Sequence, residues 1–319
     1  MGAPETPAAW ARPEQQLLRL CARVRLEPAH AVRVKQLVEA GLDWDLLLRA
    51  ARRHAQAPLL HHHLRAWAPE QVPEPVRRQL AESALATARR NLLLTGELLR
   101  LLQLFEEQSL PVVPFKGPVL TRALYGDLSL RPFQDLDLLV RKRDLLRCRD
   151  LLLRHGFEPE YRFSPLQLRV HLRAECEYNL DHPESGLHVE LHWRFVPDYL
   201  HFPLSDDALW SRLQSTPLGG RSVPTLAPED LLLVLCMHGL KHFWADLGLV
   251  ADVAELLRRS PGLDWDALWD RGRRLGCTRV LLLGLHLAAE ELQAPLPPAA
   301  ADRLRSDPAL PWLAAESRR

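Results

Sequence analysis

Residues 131–140 read Arg-Pro-Phe-Gln-Asp-Leu-Asp-Leu-Leu-Val, and Asp135 and Asp137 at the head of that apolar run constrain the fold more than any other feature. In an extended strand, residues two apart face the same side. Asp135 and Asp137 therefore project together, while Leu136, Leu138 and Val140 face a core. Such a segment needs a sheet with one face buried and the other turned to a charged site. Two carboxylates held side by side repel, and one takes up a proton unless a cation lies between them. A hard divalent cation meets that need, and Mg²⁺ typically takes one or two carboxylates plus substrate phosphates. The pattern points toward phosphoryl or nucleotidyl transfer.

The rest of the composition narrows the setting. With 319 residues the chain makes one large domain or two moderate ones, and its 47% hydrophobic content suffices for a substantial core. A formal net charge of +1 argues against bulk attraction to nucleic acid or to an anionic membrane. No apolar run has the length of a membrane span. Met1-Gly2-Ala3-Pro4-Glu5-Thr6 has neither the basic start nor the apolar stretch of a signal peptide. Cys21, Cys148, Cys176, Cys236 and Cys277 are scattered, odd in number and without a C-x-x-C pair, which argues against a zinc ribbon or a disulfide framework. A reducing cytoplasm is the expected compartment.

Along the chain, about residues 14–107 carry helical patterning, with a proline-free stretch from Val76 to Gln108 that fits one or two long helices. The character changes at Pro111. Residues 111–115 read as a short strand, Gly117-Pro118 opens a helix running to about Tyr125, and residues 134–140 form the strand with the two acids. Asp144 to His155 predicts a helix closed by Gly156, and residues 157–161 a further strand. A hairpin follows. Glu175, Glu177 and Asn179 alternate with Cys176, Tyr178 and Leu180; after a turn at 182–186, Leu187, Val189, Leu191 and Trp193 alternate with His188, Glu190, His192 and Arg194. Beyond Pro197 the chain is expected to return to helices, the strongest after Asp230 and Asp264.

Several of these segments occur together in a known order. Lys116-Gly117, Leu124-Tyr125-Gly126-Asp127, Arg131-Pro132, the run 135–140 and Glu190-Leu191-His192-Trp193 resemble a bacterial family of largely uncharacterised nucleotidyltransferases of the DNA polymerase β-like superfamily. The resemblance covers roughly residues 95–275 and includes His238, Lys241, His242, Trp244 and Asp252. It implies an α+β fold. A small mixed-sheet nucleotidyltransferase core at 109–200 would be flanked by an N-terminal helical region, 1–108, and a C-terminal one, 201–319. It also implies that Asp135 and Asp137 hold Mg²⁺, with room for two ions, and that a third carboxylate comes from a neighbouring strand. Glu190, mid-strand on the polar side of its alternating segment, is the candidate; Glu175 and Glu177 are its rivals. The reaction implied is transfer of NMP, with ATP the first choice of NTP, to an unidentified hydroxyl or phosphate acceptor. The acceptor implied is a small molecule, a peptide or a protein; a tRNA end would also fit, although the near-neutral charge disfavours nucleic acid. The chain departs from the superfamily's Gly-Ser pair, carrying Lys116-Gly117 there, which favours as alternative an inactive nucleotide-binding or partner-binding scaffold.

The remaining candidates each have a plainer reading. Lys116, Gly117 and Arg131 are placed to meet phosphate: Gly117 lets an anion approach the backbone, and Lys116 supplies a point charge. Arg131 could equally pair with a carboxylate. His238 and His242, four apart, share a helix face beside Lys241. Gly239, Leu240 and Lys241 between them offer no glutamate of a zinc protease, so a nucleotide pocket or a packing face is the better reading. Asp252 would pair with one of these groups or begin a helical turn. The nine tryptophans, Trp10 and Trp244 among them, are expected in cores and interfaces, with Trp244 the one candidate for stacking on a base. The clusters Arg258-Arg259 and 271–274 read as solvated helix ends.

Overall fold

A computed structural model describes residues 12–204 and 207–317; Trp10 lies outside them. Four helices open the chain: α1 (Pro13–Cys21), α2 (Pro28–Glu39), α3 (Trp44–Arg53) and α4 (Ala57–Trp67). The proline-free stretch is one helix, α5 (Glu74–Glu107), of 34 residues. Its buried positions fall in two groups. Val76 and Leu80 join the core of the first helices, whereas Leu94, Leu98, Leu101, Leu102 and Phe105 join a second core under the sheet. The helix is long because it serves both.

The sheet carries five strands in the order β1-β2-β5-β4-β3. They are β1 (Val112–Pro114), β2 (Asp135–Val140), β3 (Glu158–Pro159), β4 (Glu177–His182) and β5 (Leu187–His192). Strands β2 and β5 run parallel; the other pairs are antiparallel, so the sheet is mixed and the fold is α+β. Alternation decides its faces. Leu136, Leu138, Tyr178, Leu180, Val189 and Leu191 line the core shared with α5. Asp135, Asp137, Glu177, Glu190 and His192 belong to the opposite face by the same period of two. Between β1 and β2, a four-residue helix α6 (Gly117–Leu120) runs on as a π-helical turn, Thr121–Tyr125, closed by left-handed Gly126. Helix α7 (Leu145–Arg154) and helix α8 (Pro165–Ala174) precede the hairpin.

After residue 204 the expected helices are interrupted by one strand pair that the sequence reading did not include. A short helix, α9 (Asp207–Ser211), leads into a second antiparallel pair, β6 (Gln214–Leu218) and β7 (Arg221–Thr225). Pro217 and Pro224 hide these strands from a propensity reading. The readable signal is Gly219-Gly220, both at positive φ, which forms the two-residue turn such hairpins favour. Helices α10 (Pro228–Lys241), α11 (Leu247–Arg259), α12 (Trp265–Arg274), α13 (Thr278–Leu292), α14 (Pro298–Ser306) and α15 (Leu310–Ser317) complete the chain. The first four helices and these last six share one hydrophobic core, to which Val113, Phe115 and Leu139 contribute from the sheet. That contact brings the acidic face of the sheet against α10.

Candidate active site

The site begins with the pairing register. Across the parallel β2–β5 pair, Asp137 stands beside Glu190 and Asp135 beside His188. On the other side, Glu190 faces Asn179 of β4 and His192 faces Glu177. Glu190 thus lies on an interior strand, not on an edge. The loop after β1 supplies Lys116, which ion-pairs with Asp137. Gly117 follows at φ +56°, and an added Cβ would lie 3.3 Å from the carbonyl oxygen of Asp135. Glycine is needed there both for the left-handed backbone and for the close approach to β2.

These groups line one cavity of about 650 Å³. Its walls include Lys116, Gly117, Arg131, Asp135, Asp137, Glu177 and Glu190 from the sheet side, and His238, Lys241 and His242 from α10 and its end. Asp135, Asp137, Glu190, Lys116, Gly117, Arg131, His238, Lys241 and His242 are therefore in the same cavity, whereas Asp252 is not. Of the two rivals to Glu190, Glu177 lines it and Glu175 does not. Besides Gln134 and Asp246, two further polar groups in it were not anticipated. One is Arg53, at the end of α3. The other is His192, whose Nε2 lies 2.9 Å from Glu190 Oε2 and 3.4 Å from Asp137 Oδ1. Its place two residues beyond Glu190 on a strand was the available signal.

Asp137 is 2% exposed. Its Oδ1 has Lys116 and His192 nearby, while Oδ2 has no hydrogen-bond partner. A buried carboxylate oxygen left unpaired is costly, and a cation is the group that relieves it. The donor atoms of Asp137, Glu190 and His192 lie within 4.8 Å of one another. That set fits a divalent ion.

Charge organises the surroundings. Burial pushes the Asp137 carboxyl up, but Lys116 and His192 outweigh it and hold it below the ordinary range. Asp135 goes the other way, raised by burial and by its neighbour Asp137. Burial likewise opposes ionised Glu190, yet bonds from His188 and His192 keep it well below the usual carboxylate range. Lys116 is raised: Asp137 and Asp135 outweigh the burial that opposes its charge. Across the cavity, His238 is held well below the ordinary imidazole value by burial and then by Lys116, His242 and Lys241. His242 is lowered for the same kind of reasons, burial first and Lys241 next. The two rings sit 4.5 Å apart. Among the described residues, no group close enough to hold a metal includes either histidine.

Arg131 lines the cavity but is anchored elsewhere. Its Nε and a terminal nitrogen donate to the two oxygens of Asp252 at 2.7 and 2.8 Å, and the Tyr125 hydroxyl donates to the same carboxylate at 2.8 Å. Asp252 therefore pairs with none of His238, Lys241 or His242, correcting the expectation from sequence. Lys241 instead reaches Glu177 Oε2 at 3.3 Å. Trp244 does not line the cavity; it packs into the helical core against Gly239 and Gly284. The other tryptophans divide: Trp193 and Trp269 are buried, Trp67 and Trp312 exposed. The basic clusters hold the fold together, Arg259 donating to the Leu124 carbonyl and Arg271 to buried Asp230.

The sequence profile of a family described as uncharacterised nucleotidyltransferase matches residues 40–293, a wider span than the motifs suggest. The chain belongs to that family and is a transferase. No curated protein matches it significantly. Among solved structures, an antigenic nucleotidyltransferase-like protein from Paracoccidioides brasiliensis is 16% identical, with 65% of this chain and 95% of that chain covered at a TM-score of 0.41. The antibiotic-resistance factor ANT(2'')-Ia, in a solution structure, is 12% identical over 66% of this chain and 91% of its own, with a TM-score of 0.34. Its crystal structure in complex with adenylyl-2''-tobramycin gives 12%, 66%, 97% and 0.34.

Proposed function

We propose that this nucleotidyltransferase moves NMP, with AMP the first choice, from an NTP to a hydroxyl or phosphate acceptor, and that Asp135, Asp137 and Glu190 hold the Mg²⁺ it requires. The observation that carries the reading is the division of one cavity into an acidic floor on the sheet and a facing wall where Lys241 of α10 joins Arg53 and Arg131 in carrying positive charge. A nucleoside triphosphate presents the complementary arrangement, with phosphates for the wall and a cation-bridged edge for the floor. When bound, divalent ions supply charge neutralisation at the attacking and leaving oxygens.

The chain's own groups take the remaining tasks. Lys241 and Arg131 give fixed positive charge beside the phosphates, and Arg131 is held still by Asp252 and Tyr125. Lys116 stands at the seam between floor and wall, drawn to Asp137 and in reach of an alternative anionic partner in the same cavity. His238 and His242, kept neutral first by burial and then by that positive surrounding, can donate or accept a single hydrogen bond to a base, sugar or phosphate. Catalysis then rests on positioning and on charge stabilisation. A cytoplasmic location suits five cysteines that are all free and buried. No helix among the described residues is long and apolar enough to cross a membrane.

The test follows the α-phosphate. Label from α-phosphate-labelled ATP should enter an acceptor in a metabolite and peptide extract, and γ-phosphate label should not. Asp137→Asn should lower the transfer about 10³-fold or more. Entry of the γ label into the acceptor instead of departure in pyrophosphate, or undiminished transfer in the variant, would sink the reading.

A further inference from the structure

We propose that Asp137, Glu190 and His192 form a mixed carboxylate–imidazole site that binds a first-row transition ion in preference to Mg²⁺. The proposal deepens the transferase reading, on which it rests for the purpose of the acids: it adds a nitrogen donor to the oxygen ligands at Asp137 and Glu190, so that Mg²⁺ still enters but a transition ion enters more tightly.

Three observations carry it. The first is spacing. Neighbouring ligands in an octahedron of ~2.1 Å bonds lie about 3 Å apart. His192 Nε2 is 2.9 Å from Glu190 Oε2 and 3.4 Å from Asp137 Oδ1, so one ion could be shared by all three. The second is the unpaired Oδ2 of Asp137, on a side chain almost wholly buried among these ligands. The third is the far side of the imidazole. Nδ1 points to Glu177 Oε2 at 3.5 Å, and no hydrogen bond otherwise satisfies it. Glu177 is itself held by Lys241 at 3.3 Å and by the Cys176 thiol at 3.3 Å. A metal-binding histidine characteristically donates its other N–H to a carboxylate fixed in this way, which sets the tautomer and the ring orientation.

The chemistry of the donor set gives the preference. Mg²⁺ demands oxygen ligands and near-ideal octahedral geometry. Imidazole suits the transition ions, whose affinity for such sites rises along the series from Mn²⁺. An ion bound at Nε2 takes the nitrogen lone pair, and any proton held there leaves to solvent.

Mn²⁺ and Mg²⁺ should be titrated separately into the full chain by calorimetry, with pulsed electron paramagnetic resonance recorded on the Mn²⁺ complex. The expected result is Mn²⁺ binding about tenfold or more tighter than Mg²⁺, with the modulation of one directly bound imidazole nitrogen. His192→Gln should abolish that modulation and bring the two affinities together. Glu177→Gln should keep the nitrogen signal and weaken Mn²⁺ by about tenfold or more. Wild-type protein that shows no bound nitrogen, a nitrogen signal that survives His192→Gln, or equal affinity for the two ions would overturn the proposal, and the wild-type spectrum decides even if a variant misfolds. Failure here is separable from failure of the transferase reading. ATP binding that needs Mg²⁺ and Asp135, in protein without the nitrogen signal, leaves the reaction standing and removes the mixed site; a nitrogen-bound ion without nucleotide binding does the reverse.

Discussion

At the scale of single residues, the site depends on side-chain parity more than on any one acid. Asp135 and Asp137 could be placed on one face from sequence because a strand alternates, and the register beside Glu190 follows the same rule. His192 shares that parity, yet an imidazole in an alternating strand reads as one more polar position until β4 brings Glu177 to its other nitrogen. Arg131 illustrates the opposite limit: its partner, Asp252, is 121 residues away, and no local pattern reports such a pair. Gly117 is where a small change should tell most. Gly117→Ala forces a side chain into left-handed backbone against the Asp135 carbonyl. It should lower stability by about 1–2 kcal/mol and weaken metal-dependent nucleotide binding through the displaced Asp135. Denaturant unfolding alongside nucleotide titration checks both, and wild-type behaviour in either would show that this contact does not shape the site.

Among elements, legibility followed period and length. The long helix α5 and the hairpin β4–β5 were readable because their apolar spacing is sustained. The β6–β7 pair was not, because prolines interrupt both strands and only the Gly-Gly turn remains as a signal. The join between α10 and α11 was also hidden. Phe243 and Trp244 both adopt positive φ there, a conformation that sequence gives no reason to expect of aromatic residues. The turn is held by packing: Trp244 fills the space left by Gly239, where an added Cβ would lie 2.5 Å from the ring. Gly239→Ala should therefore destabilise by about 1–3 kcal/mol as an overpacking change. It should also disturb His242 and Asp246, which follow the same turn into the cavity. A lowered melting temperature together with weaker nucleotide binding is the expected pair of results; an unchanged melting temperature would mean that Trp244 can move aside freely.

For the molecule as a whole, the cavity exists because the first and last helices share one core and clamp α10 over the sheet. Arg53 reaches the site for this reason, and a sequence reading that treats the N-terminal helices as a separate region has no means of placing it. His63 probes that shared core. It is buried and bonds through Nε2 to the Arg23 carbonyl at 2.7 Å, and burial holds its pKa down to about 4 from the ordinary 6.5. Above pH 6.5 neither the folded nor the unfolded chain protonates this ring, so it adds no pH dependence. Between 6.5 and about 4 the unfolded chain binds a proton that the native state refuses, so stability falls as pH falls. The loss is complete below about 4 and amounts to at most about 3 kcal/mol. His63→Gln should make the decline shallower over that window, as measured by unfolding at a series of pH values; a parallel decline would assign the acid sensitivity to other groups.

The central claim is that the sheet's acids and the helical wall receive one metal–triphosphate. Calorimetric titration of ATP into the protein, with and without Mg²⁺, beside the double variant Asp135→Ala/Asp137→Ala, tests it most directly. The account predicts binding that requires Mg²⁺ in the wild type and is lost in a variant that remains folded. Nucleotide affinity that is indifferent to both the metal and the two acids would contradict it.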